Sequence, residues 1–285
     1  MTQEVILTIL AADPEALTRQ DVKGATPIHL YMMVGSVDKG VLRCILEFDP
    51  RALRRVTMTS RVSPVHRYMG NKTVSPEIIA IIHESDPEAF DRCNKEGGTP
   101  LHRYMLHPKI STKILKQIQS FSPRCFNKPD KSGLTPVHEY FYENKSACVE
   151  VLEVLLSFDE GAGMRPDNHG YTAVHYYTLN PRPKTDVLRA LIASSPDCLL
   201  KRTLKGETPM HFYMQNRKVD SSVLQEILET NPGALSYKDN AGCTPVHWYM
   251  IQHLWSHHFH CSNSRSHSTP FLVKKLATWQ VLCWK

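Results

Sequence analysis

The sequence lacks any run approaching the roughly 20 consecutive apolar residues that a membrane-spanning helix requires, although 41% of its 285 residues are hydrophobic. That content suits a packed core, and a membrane partner is not expected. The start, Met1 to Ala12, carries the short apolar run Val5 to Leu10 but neither a basic stretch before it nor a cleavage site after it, which argues against a secretory leader. CxxC pairs are absent although there are eight cysteines. Four of these, Cys44, Cys125, Cys148 and Cys198, recur where neighbouring stretches have apolar residues, and there cysteine behaves as a small hydrophobe. This usage points to a reducing, intracellular compartment, cytoplasmic or nuclear. Asp and Glu are missing altogether from Ile251 to Lys285. The net charge of +6 is modest for this length, so it does not call for nucleic acid.

What is present is a repeat. Thr99-Pro100-Leu101-His102-Arg103-Tyr104-Met105 has close copies beginning at Thr26, Ser63, Thr135, Thr172, Thr208 and Thr244, and successive histidines are 36 or 37 residues apart. Thr or Ser followed by Pro starts a helix: the hydroxyl accepts an otherwise unpaired amide, and proline at the first helical position has no amide to lose. An apolar residue precedes each histidine and a tyrosine follows two residues later in every copy. Positions 28, 31 and 32 then share one helical face.

Seven histidines in register, His29, His66, His102, His138, His175, His211 and His247, invite a catalytic or metal reading. Ligands of one ion must converge, whereas one histidine per unit lies about one helix-packing distance, roughly 8 to 10 Å, from the next. No copy carries a second histidine or carboxylate at a constant offset to serve as a base or an orienting group,. The rings are therefore expected to be structural, bonded within their own turn or to a neighbouring unit, and no enzyme, cofactor or metal is expected from them.

A second helix follows each motif. Ser75-Pro76-Glu77 leads into Ile78, Ile79, Ile81 and Ile82, Ser111 into Ile114, Leu115 and Ile118, and Thr185 into Val187, Leu188, Leu191 and Ile192, with Asp38, Ser146 and Ser221 as the other expected caps,. Endings such as Asp86-Pro87-Glu88-Ala89-Phe90 stop that helix and begin a short turn,. The copy at Asp159-Glu160-Gly161-Ala162-Gly163 has lost the proline and the large residue, and is expected to be the weakest joint. A polar Asp-x-x-Gly turn closes the unit, as at Asp130-Lys131-Ser132-Gly133; the second unit has Met58 and Arg61 in that region and should turn more loosely,. Residues 1–25 thus hold a partial unit, 26–250 seven motif copies with the last incomplete, and 251–285 a tail outside the repeat. The half unit at the start and the unrelated tail suggest either a fragment of something longer or an altered reading frame at the end.

Helix, loop, helix and an Asp-x-x-Gly turn leading into Thr-Pro-Leu-His resembles the ankyrin repeat, whose period is about 33 residues. The longer period here and the Tyr-Met pair (Tyr31-Met32, Tyr104-Met105, Tyr213-Met214) where small residues are usual depart from it. The resemblance implies an all-α solenoid of stacked helix-loop-helix units, a monomer that binds a protein partner through its turn tips and inner helices and takes no small-molecule substrate. Carried onto this chain, the contact positions are Lys23, Lys95, Lys131, Tyr171 and Lys205 at the tips and Arg67, Arg103 and Phe212 directly after the motif histidines. Thr26, His29, Thr99, His102, Thr135, His138, Thr208, His211, Thr244 and His247 form the frame. Basic residues lie toward the N-terminal half of the row after the histidine and aromatics toward the C-terminal half, which suits a partner with an acidic segment beside an apolar one, unless the charges are simply solvated and the aromatics packed inside.

Two other regions carry an alternative. Arg51, Arg54, Arg55, Arg61, Arg67 and Lys72 form the densest basic stretch, without the interleaved aromatics of an RNA site,. In the tail, His253, His257, His258, His260 and Cys261 are the one local cluster of metal-ligand types, with His253 and His257 spaced for one helical face. Phe271 to Trp284, with Lys274 and Lys275, reads either as an interfacial helix on an anionic membrane or as a cap over the last unit.

Overall fold

The computed structural model describes residues 3–143, 147–216 and 219–256. Two kinds of helix alternate along it. Short motif helices span Pro27–Tyr31, Pro64–Tyr68, Pro100–Met105, Pro136–Glu143, Ala173–Thr178, Pro209–Tyr213 and Pro245–Ser256; longer ones span Gln3–Ala12, Lys39–Phe48, Pro76–Ser85, Thr112–Phe121, Val149–Phe158, Thr185–Ser194 and Ser221–Thr230. Each short helix packs on the short helices before and after it, and the long helices form a second row in the same way. The result is an all-helical solenoid in which one hydrophobic core runs the length of the described chain.

The core follows from the spacing. In the short helices the residues before the histidine, two after it and three after it are buried, as with Ile28, Tyr31 and Met32 or Leu101, Tyr104 and Met105. In the five long helices from Lys39–Phe48 to Thr185–Ser194 the third, fourth and seventh residues face inward, and Leu42, Ile79, Leu115, Leu152 and Leu188, all at the fourth place, are fully buried; in Gln3–Ala12, at the end of the row, Val5 and Ile9 at the third and seventh places are exposed. Each such side chain contributes roughly 2 kcal/mol of apolar transfer, repeated unit after unit. The Pro-led endings of three units fold as single 3-10 turns, Ala52–Arg54, Pro123–Phe126 and Pro196–Leu200. These insert their small and large residues, among them Ala52, Leu53, Cys125, Phe126, Cys198 and Leu199, into the joints.

Helix starts differ from expectation in three places. Asp38 and Ser75 cap as expected, accepting from Val41 and Glu77 amides. Thr185 is the first helical residue behind Lys184, and Ser221 lies inside a helix capped by Asp220, whose carboxylate accepts from the Ser222 and Val223 amides. A carboxylate outcompetes the neighbouring hydroxyl for amides at the positive end of a helix. Ser111 occupies the cap position without a side-chain bond, and Ser146 lies outside the described residues. At Asp159–Gly163 the 3-10 turn is missing among the described elements, yet Ala162 and Gly163 are still buried and Arg165 closes on Asp159 at 2.6 Å.

Candidate functional site

The motif histidine is a two-sided fastener. Its Nδ1 accepts from the backbone amide of its own helix cap, at 3.1 Å from Thr26 to His29 and 3.0 Å from Thr99 to His102, with the cap hydroxyl also within 2.9 Å in both. Because an amide can only donate, Nδ1 is unprotonated and the hydrogen sits on Nε2. From there it donates, in five cases, to the carbonyl directly ahead of the next motif, His29 to Val62 at 3.1 Å, His66 to Gly98 at 3.0 Å, His102 to Leu134 at 2.9 Å, His175 to Glu207 at 3.4 Å and His211 to Cys243 at 3.2 Å, whereas His138 is bonded at 2.8 Å to Arg165, before the turn that closes its own unit. Burial pushes all six rings below the ordinary imidazole value, His66 and His175 to about 4. Both ring nitrogens are thus occupied, which leaves these histidines no lone pair for a metal and no free base for catalysis.

Three further fasteners escaped the sequence reading. The tyrosine two residues after the histidine accepts the first amide of its own long helix, from Asp38 to Tyr31 at 2.9 Å, Ser75 to Tyr68 at 2.7 Å, Ser111 to Tyr104 at 3.0 Å and Asp220 to Tyr213 at 2.8 Å. Asn71 reaches back to the Met32 and Val34 carbonyls, and Asn216 to those of Thr178 and Asn180. Across the Pro turn, Asp13 pairs with Arg19 at 2.5 Å and Asp49 with Arg55 at 2.9 Å, and Asp86 pairs with Arg92. The six-residue spacing was visible as a recurring signal, but it matches neither a helical nor a strand period.

The turn tips are joined by their backbones. Each tip donates an amide to a carbonyl of the tip before it: Met58 to Lys23, Lys95 to Ser60, Lys131 to Glu96, Asn168 to Ser132, Leu204 to His169 and Asn240 to Lys205, all at 2.8 to 3.0 Å. Inside a tip, Asp130 accepts from Ser132 and Leu134 at 2.8 and 2.9 Å, and Gly133 takes a φ of 83°. A Cβ on Gly133 would lie 2.6 Å from the Asn168 amide, so glycine is required by close approach as well as by φ. In the second unit the tip is one residue longer, and Arg61 occupies the left-handed position at φ 51°.

The expected contact residues separate into two groups. Lys23, Lys95, Lys131 and Lys205 are exposed on the tips, and Arg103 is exposed on the row after the histidines. Arg67 is half-buried; its Nε is shielded from solvent with no hydrogen-bond partner among the described residues. A groove of about 560 Å³ opens here between the tips and the short helices, lined by Arg67, Arg103, Asn71, Asn94, Glu96 and Glu139 among others. Phe212, by contrast, is 3% exposed and belongs to the core. It packs 5.2 Å from Tyr171, which stacks on Tyr176 at 5.5 Å, and edge-on to His175 at 5.5 Å. Tyr171 is half-buried in that cluster, so the aromatic end of the row is spent on packing.

The basic stretch is partly neutralised from within: Arg55 pairs with Asp49, and Arg54 lies 3.6 Å from Asp86. No group of three or more His, Cys, Asp or Glu among the described residues could hold a metal ion. His257, His258, His260, Cys261 and the segment Phe271 to Trp284 lie outside the described residues. No described helix is long and apolar enough to cross a membrane.

No family model and no curated protein matches the chain. Among solved structures, the ankyrin repeat domain of Bcl-3, a unique member of the IkappaB protein family, is similar with a TM-score of 0.57 and 17% identity, covering 79% of this chain and 94% of that one. A chain from the complex of the predatory endopeptidase Bd0816 of Bdellovibrio bacteriovorus with immunity protein Bd3460 gives a TM-score of 0.54 and 13% identity, covering 67% of this chain and 92% of that one. At these identities the likeness concerns architecture: the chain has the fold of an ankyrin-repeat solenoid.

Proposed function

We propose that the chain is a protein-interaction scaffold without chemistry of its own, and that it holds an acidic segment of a partner protein across its second to fourth units. The observation that carries this is the groove beside Arg67 and Arg103, where the buried Nε of Arg67 has no acceptor among the described residues. A carboxylate supplies the oxygen that such a nitrogen lacks, and arginine's planar fork favours it over other anions on a protein. Lys95 and Lys131 on the adjoining tips extend the positive rim, while Glu96 and Glu139 in the same groove would repel the uninterrupted negative charge of a nucleic acid,. Cys44, Cys125 and Cys198 are free and buried, which supports a reducing compartment as the place of work.

The test is affinity purification from the native source with mass spectrometry, repeated with Arg67→Glu combined with Arg103→Glu. At least one specific partner should weaken more than tenfold, whereas Lys205→Glu, next to the packed aromatic end, should leave it bound. Partners that bind the charge-reversed protein as tightly as the original would overturn the assignment.

A further inference from the structure

The row of side chains after the motif histidines begins in an apolar patch. Leu30, Met33 and Val34, in the first unit, are 59%, 48% and 43% exposed. The Met33 amide donates to the Leu30 carbonyl at 3.1 Å and the Val34 amide to that of Tyr31 at 3.2 Å, so tight turns prolong the first short helix and the three side chains stand on one face of it. The same three places hold Arg67, Gly70 and Asn71 in the second unit, Arg103, Leu106 and His107 in the third, and Phe212, Gln215 and Asn216 in the sixth; only the first unit fills all of them with apolar residues. The backbone under the patch is pinned, because the Asn71 side-chain amide donates to the Met32 and Val34 carbonyls, both at 2.9 Å. Met33 is also a wall of the groove that holds Arg67 and Arg103, and Leu106 lines the same groove. Apolar side chains displayed together on a fixed backbone and continuous with a charged groove have the composition of an interaction surface.

We infer, resting on the acidic-segment reading of that groove, that the partner segment carries a large apolar residue beside its carboxylates, and that this residue seats on Leu30, Met33 and Val34 while the carboxylates meet Arg67 and Arg103. Successive short helices lie roughly 8 to 10 Å apart, so the apolar group stands about that far from the nearest carboxylate, on the side of the first unit. The two contacts divide the work: opposite charge brings the segment to the groove, and the apolar seat slows its departure. Because the patch is already ordered, little freedom is lost when it is covered. The apolar part of the partner thus belongs at the N-terminal end of the row, opposite to the end where Phe212 is packed into the core.

The probe is a library of random twelve-residue peptides displayed on phage and selected on the immobilised full chain, with the enriched peptides resynthesised and titrated by fluorescence anisotropy. They should combine Asp or Glu with Leu, Ile, Met or Phe. Leu30→Ser with Met33→Ser, which spares the core because both side chains are exposed, should weaken them at least tenfold. Arg67→Glu with Arg103→Glu should do the same, whereas Val22→Ser, at an apolar residue 97% exposed on the first tip, should leave them bound. Acidic peptides that bind the Leu30→Ser, Met33→Ser protein at full strength would overturn the apolar seat and leave the acidic groove standing. Peptides indifferent to the change at Arg67 and Arg103 would overturn the groove reading and the seat with it, as would a selection that enriches nothing.

Discussion

Acidification should unfasten this stack. Protonating a motif histidine puts a hydrogen on Nδ1, where the cap amide already points its own, 3.3 Å away at Ser63 and His66; two donors then face each other in a buried site, where burial disfavours the charge. Burial is the main cause that holds the His66 and His175 rings at about 4 instead of 6.5, and the proximity of other imidazoles works in the same direction. The folded-state value is depressed, so the unfolded chain binds more protons between pH 4 and 6.5; the stabilisation is complete above 6.5 and is lost as pH falls through that window. A difference of this size is worth about 3 kcal/mol per ring in full, and about 2 kcal/mol of it is gone by pH 5. For the two rings together the loss at pH 5 is about 4 kcal/mol, a large part of the stability of an ordinary domain, and the other four lowered rings add to it. Urea unfolding followed by far-ultraviolet circular dichroism at pH 7.5, 6.5, 5.5 and 5.0 measures it. His66→Gln combined with His175→Gln should be less stable at pH 7.5, because the Gly98 and Glu207 carbonyls lose their donors, yet flatter in its pH response. A midpoint that does not fall between pH 6.5 and 5.0, or a double variant that keeps the full slope, would refute the reasoning.

Other perturbations separate causes that coincide in the native protein. Gly133→Ala and Gly242→Ala both place a side chain at positive φ, but only at Gly133 does the new Cβ meet the next tip; the first should cost at least about 1 kcal/mol more than the second, whose φ strain alone is about 1 kcal/mol, and equal losses by urea titration would show that the tips tolerate separation. Asp86 is fully buried between Arg92 and Arg54, whereas Asp13 holds Arg19 at the surface. Asp86→Ala should therefore destabilise by about 3 kcal/mol and Asp13→Ala by less than about 1 kcal/mol, and the reverse order in thermal melts would contradict the burial argument.

The frame was legible in the sequence because its signals are local and periodic. A Thr-Pro or Ser-Pro start in six of the seven copies, an apolar face shared by the motif helices and an Asp-x-x-Gly turn in four units each act within a few residues, and their repetition in register leaves little room for another architecture. What could not be read is what crosses between units. The Nε2 of His102 and the carbonyl of Leu134 are 32 residues apart, and nothing near either names the other. The Asp-to-Arg pairs were written in the chain at a constant six-residue spacing, but a proline turn sets that distance, so neither standard period picks it out. Thr185 and Ser221 were plausible caps until a neighbouring residue took the position.

The candidate surface shows the same limit more sharply. Arg103 and Phe212 occupy equivalent places after their histidines, yet one is exposed and the other buried. The difference lies outside both helices: Tyr171 and His175 pack against Phe212 from the preceding unit, whereas Arg103 lies against Gly70, which has no side chain to cover it and where a Cβ would come within 3.2 Å of the guanidinium Nε. Register alone therefore marks where a partner could touch, and the neighbouring unit decides whether that position is open. With histidine, tyrosine, asparagine and aspartate consumed by the joints, the proposed recognition falls to positions the joints do not use, and among these the groove beside Arg67 combines an opening with a donor that has no acceptor among the described residues.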